Sequence, residues 1–188
     1  AAIMGVAGVS TADVVLLDTQ TASNSASLSF TSGITSTYGE YIFKFYNINP
    51  ATDNVQLQFN VSTDGGSNYN LTKTSSAFRA SHDEADSATA LGYLTAQDLA
   101  QATSEQWIGD GWGNGSDESG AGELHLFNPS STTYVKHYYA RANFYHASNY
   151  SFDFYCGGYV NTTSDIDAIQ FKMSSGNFDG KIKMWGVK

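Results

Sequence analysis

The chain has 188 residues, a formal charge of −9, 14% aromatic residues, 18 glycines and only 2 prolines. A domain of this length buries about 70% of its unfolded surface, and the ring content excludes a disordered chain. The acidity argues against nucleic acid as a partner.

Ala1–Val9 is small and apolar, lacks a positive n-region and is too short to span a bilayer, so no membrane partner is expected. Residues 1–13 read as an extended N-terminal arm and 14–188 as a single β-sandwich domain. Val14–Leu17 is a first apolar run, followed by Ser/Thr/Ala-rich chain and an alternating Leu28, Phe30. In Tyr41–Ile48, Tyr41, Phe43 and Phe45 share one face. In Val55–Val61, Val55, Leu57, Phe59 and Val61 point inward with Gln56, Gln58 and Asn60 outward. Asn49-Pro50 separates these runs, and proline cannot continue a strand, so they are expected to form a hairpin. Thr95–Ala102 is the one candidate helix. Leu124–Phe127 and Thr133–Phe144 flank a second Asn-Pro turn at Asn128-Pro129, and further strands are expected at Tyr150–Tyr155, Ile166–Met173 and Lys181–Val187. Eight to ten short strands with at most one helix predict an all-β, antiparallel sandwich, with jelly-roll wiring expected.

Charge is concentrated in the middle. Ala80–Val135 holds nine acids (Asp83, Glu84, Asp86, Asp98, Glu105, Asp110, Asp117, Glu118, Glu123) and neither lysine nor arginine, while the rest of the chain balances. Gathered on one face, these carboxylates would repel each other. Gly109–Glu123 is glycine-rich and reads as a solvated loop. Asp110, Asn114, Asp117 and Glu118 could offer oxygen to Ca²⁺, but Trp112 and Ala121 break the EF-hand pattern, and no metal or cofactor is expected. His125 and His137 sit at equal distances from Ser131, so a symmetric hairpin would place them opposite each other; two imidazoles alone make a poor zinc site.

The single Cys156 sits among aromatic residues and reads as a buried, inert thiol, and no intramolecular disulfide can form. No G-x-S-x-G elbow occurs, so no catalytic residue is assigned and an enzyme is not expected. Lys181 and Lys183, on one face of the last strand, would protect an exposed sheet edge. Ser62–Tyr69 (STDGGSNY) resembles the Asp-box turn of sialidases and related β proteins, a structural hairpin in which Asp64 binds turn amides.

Two longer stretches, Leu16–Asn70 and the ending Ile166–Lys188 (IDAIQFKMSSGNFDGKIKMWGVK), resemble a family of small β-sandwich structural proteins of marine tailed phages. The resemblance implies a virion component, assembled in the host cytoplasm, with other virion proteins and itself as partners. A capsid decoration protein is the expected role, with a trimer the favoured homo-oligomer and Ala1–Ser10 as the anchor. The alternative is a tail-fibre or appendage module that binds a receptor or a host surface glycan. Candidate contacts for a partner or glycan are Trp107, Trp112 and Tyr138, with Tyr139, Tyr145 and Tyr150 as further rings.

Overall fold

The computed structural model describes Asp13–Lys188, and no helix occurs among these residues. The expected anchor Ala1–Ser10 lies outside the described residues. Twelve strands are formed: β1 (Val14–Ser25), β2 (Ser27–Phe30), β3 (Glu40–Pro50), β4 (Leu57–Ser62), β5 (Lys73–Asp83), β6 (Thr89–Tyr93), β7 (Gln106–Trp107), β8 (Gly120–Phe127), β9 (Lys136–His146), β10 (Tyr150–Val160), β11 (Ala168–Met173) and β12 (Phe178–Val187). They make an eight-stranded sheet, in the order β1-β12-β3-β8-β9-β10-β5-β6, and a four-stranded sheet, β2-β11-β4-β7. Every pairing is antiparallel, so the protein is an all-β sandwich.

The core lies between the sheets, where aromatic rings interlock. Phe30 and Phe171 of the small sheet meet Phe43 of the large one at 5.4 and 5.5 Å between centroids, and Phe59 meets Tyr138 at 5.1 Å. Alternation in β3 buries Tyr41, Phe43 and Phe45 as expected. Asn47 then takes a left-handed backbone (φ 49°) at a register shift between β3 and β8, and this bulge returns Ile48 to the interior.

Several expectations are corrected. Tyr41–Ile48 and Val55–Val61 do not form a hairpin, because β3 lies in the large sheet and β4 in the small one. Both carry a strong apolar face, and each is buried in the core from its own sheet because the chain crosses the sandwich after Pro50 rather than folding back beside β3. The second Asn-Pro turn does join paired strands, β8 and β9. The outward positions of Val55–Val61 are covered as well: Gln58 and Asn60 are both buried, and Asn60 takes a hydrogen bond from Lys73 Nζ. Thr95–Ala102 is a run of turns, pinned by backbone bonds between Ala102 and Lys73 and by Leu99 N donating to Ser75 Oγ. Its apolar residues, Ala96, Leu99, Ala100 and Ala102, are too small or too few to hold a helix against these competing bonds. Lys181 and Lys183 do not guard an edge, since β12 runs between β1 and β3.

Candidate functional site

Of the three nominated contact residues, two are interior. Trp112 is 1% exposed and stacks on Phe144 with centroids 4.4 Å apart and rings 7° from parallel. Glycine makes that slot: a Cβ on Gly109 would lie 2.3 Å from the indole nitrogen, and one on Gly120 would lie 2.4 Å from the ring. The backbone of Trp112 also bridges Val55 and His146, so Gly109–Trp112 is a packed plug rather than a solvated loop. Tyr138 is 3% exposed, and its hydroxyl donates to Gln106 Oε1 at 2.9 Å, satisfying a polar group inside the core. Trp107 alone remains available, half-buried and paired with Gln58 of β4.

The four candidate Ca²⁺ ligands do not converge. Asp110 accepts bonds from Gln56 and Gln97, and Glu118 curls back to accept from Gly115 N. Asn114 donates through Nδ2 to Ala51 O. Among the described residues no three His, Cys, Asp or Glu side chains come together as a metal site. His125 stands opposite Tyr139 rather than His137, because the β8–β9 register is centred one residue off the expected symmetry. It is held instead by Glu40 on β3 and stacks on Tyr139 at 4.5 Å. Burial pushes the Cys156 thiol up to about 12 and keeps it unreactive at neutral pH.

Ser62–Tyr69 has the expected internal bonding: Asp64 Oδ1 accepts from Ser62 Oγ and Asn68 N, and Asp64 Oδ2 accepts from Asn68 Nδ2. The loop carries the chain from β4 to β5 in the other sheet, however, so it is a crossing rather than a hairpin.

The nine middle acids do not share one face. Glu105, Asp110 and Glu123 pair with Lys172, Arg79 and Lys44 from outside the segment. Glu84, Asp117 and Glu118 surround Tyr145, whose hydroxyl burial and these carboxylates push above its ordinary pKa. The end of the sandwich where β5 and β9 finish therefore holds Glu84, Asp117 and Glu118, whereas Asp98 accepts from Tyr93 of β6.

The opposite end is different. An open cleft of about 660 Å³ lies between the loop entering β3 (Ser36, Tyr38, Gly39) and the β8–β9 turn (Phe127, Asn128, Ser130, Ser131, Tyr134, Val135), with His137 beside them. Among the described residues its lining contains three aromatic rings and no acid, lysine or arginine. Tyr134 is 73% exposed. Beyond Phe127 the rings continue onto the outer face of the large sheet, with Tyr139 at 5.7 Å. A sequence signal for this cleft existed in the aromatic residues around Asn128-Pro129, but their convergence with Tyr38 depends on β3 and β8 being neighbours.

Comparison with protein-family models, with curated proteins and with solved structures finds no match for this chain.

Proposed function

We propose that this protein is a structural component of a tailed-phage particle, a capsid decoration protein that acts by assembly rather than by catalysis. The observation that carries the assembly role is the edge strand β6. All of Thr89–Tyr93 is exposed, Leu91 is 77% exposed, and the strand contains no proline or charge to discourage pairing. An edge in this condition is a template for strand addition by another chain.

The wiring supports the particle reading. With β5, β6, β9 and β10 set aside, the remaining eight strands pair first with eighth, second with seventh, third with sixth and fourth with fifth. Such a nested ribbon, rolled into two sheets, supports a jelly-roll reading, an architecture common to viral capsid and lectin domains. The four strands set aside extend one sheet past β8 and end at β6. In this reading they are what the jelly roll adds for contact with neighbours, and the resemblance of Leu16–Asn70 and Ile166–Lys188 to phage structural proteins supplies the setting.

Two measurements test the proposal. Light scattering on the purified chain at high micromolar concentration is expected to give an oligomer, with a trimer favoured, and Leu91→Lys is expected to give a monomer. Mass spectrometry of particles purified from the producing lysate is expected to find the chain in stoichiometric amounts. A monomeric wild type, or particles lacking the chain, overturns the reading.

A further inference from the structure

We propose that the cleft between Tyr38 and Tyr134 is a binding site for neutral saccharides, distinct from the edge at β6 and independent of the particle reading. The argument starts from what the lining offers. Tyr38, Phe127 and Tyr134 contribute aromatic rings, and Ser36, Asn128, Ser130 and His137 contribute polar side chains. Ser36, Asn128 and His137 are exposed, so their polar atoms are open to a ligand. A ligand matching this lining has an apolar face, hydroxyls at its edges and no net charge. A pyranose ring meets all three requirements, whereas a phosphate, a sulfated sugar or a cationic peptide would find no countercharge.

The second part of the argument is rigidity, because a site that must be ordered on binding loses affinity to that cost. Asn128 N donates to Gly39 O at 2.7 Å, which ties the two walls together, and Ile166 N donates to Pro129 O at 3.0 Å. Ser131 N closes the turn onto Asn128 O at 3.0 Å, while Ser131 Oγ accepts from Thr133 N and Tyr134 N. Asn128 itself sits at φ 44°, a left-handed position that asparagine tolerates better than most residues. Tyr38 lies flat against Gly186, where a Cβ would come within 2.6 Å of the ring. The walls are therefore preformed while Tyr134 stays in water, an arrangement that core packing does not require. The ring path from Phe127 to Tyr139 gives a second sugar unit somewhere to lie. The volume of about 660 Å³ falls within the usual range for small-ligand sites.

The test is binding of the full chain to immobilised oligosaccharides, neutral ones ending in glucose, galactose, mannose or N-acetylglucosamine, and sialylated or sulfated ones for comparison. Wild type is expected to bind at least one neutral class. Tyr134→Ala, which removes the exposed ring, and Ser36→Trp, which fills the cleft, are each expected to weaken that binding tenfold or more with an unchanged circular-dichroism spectrum. Should Tyr134→Ala fail to fold, Ser36→Trp decides. Absence of neutral binding, binding confined to the anionic sugars, or neutral binding that survives cleft filling each overturns the proposal.

Discussion

Replacing Trp112 by alanine separates a buried plug from a partner-seeking loop. The indole is 1% exposed and stacked on Phe144, so its removal takes away a full aromatic burial and an aromatic pair. Large-to-small changes of this kind cost about 3–5 kcal/mol. One contribution runs the other way: the buried Trp112 Nε1 has no hydrogen-bond partner among the described residues, and deleting that donor returns about 1 kcal/mol. The expected net loss is about 2–4 kcal/mol. With a urea m-value of about 2 kcal/mol/M, the midpoint should fall by about 1–2 M with the slope unchanged. Trp112→Phe keeps the stack and removes the orphan N–H, so it should cost about 1 kcal/mol. Tyr134→Ala, on the exposed turn, should stay within about ±0.5 kcal/mol. If Trp112→Ala also falls within that narrow range, the indole is not packed on Phe144 in solution, and Gly109–Glu123 is the open loop that its composition suggests.

Two pH experiments probe the polar interior. Burial pushes the Lys73 ammonium down to about 8 from its usual 10.5, although Nζ donates to Asn60 Oδ1 and Leu71 O. Between those values the unfolded chain holds a proton that the folded chain has released, so this group's contribution to stability rises with pH across the window, by about 3 kcal/mol in total. Urea melts from pH 7 to 10.5 should show that rise in wild type relative to Lys73→Met; parallel profiles would refute it. Asp64 is held down to about 2, chiefly by the Asn68 side chain and then by Ser62. Its stabilisation is present above pH 4 and is lost as the pH falls towards 2, so Asp64→Asn should flatten the acid limb of the melting profile in that interval. An acid limb identical to wild type would mean that the turn does not depend on the carboxylate.

The candidate site shows where a linear reading stops. Tyr134 and Phe127 flank the Asn128-Pro129 turn in sequence, but they form a cleft only because Tyr38 arrives on the loop entering β3, about ninety residues earlier. Trp112 and Tyr138 attracted attention as rings near glycine or in an aromatic run, and the signal that they are interior lay elsewhere. For Trp112 it was Gly109 and Gly120, whose missing side chains leave room for the indole. For Tyr138 it was the strict alternation of β9, with Ala140, Ala142 and Phe144 buried on the same side.

Local alternation determined much about this protein from the sequence itself. A period of two assigns each side chain to one face of its strand, so the inward residues of β3 and β4, and the sandwich class, follow without knowledge of any partner. Strand partners are a different matter. An apolar face is satisfied equally by a neighbour in the same sheet or by a strand across the core, and short-range pattern does not distinguish the two. Tertiary structure therefore decided that β3 and β4 lie in opposite sheets instead of pairing, that β12 is interior to its sheet, and that β5, β6, β9 and β10 extend the large sheet. The Ser/Thr/Ala-rich β5 gave almost no signal of its own, because its inward residues Lys73, Ser75 and Ala77 are not apolar enough to stand out; its place comes from an eleven-residue register with β10. Which end of the sandwich gathers acids and which gathers neutral rings was likewise settled by that pairing, since charge in a chain has no position until its strands have neighbours.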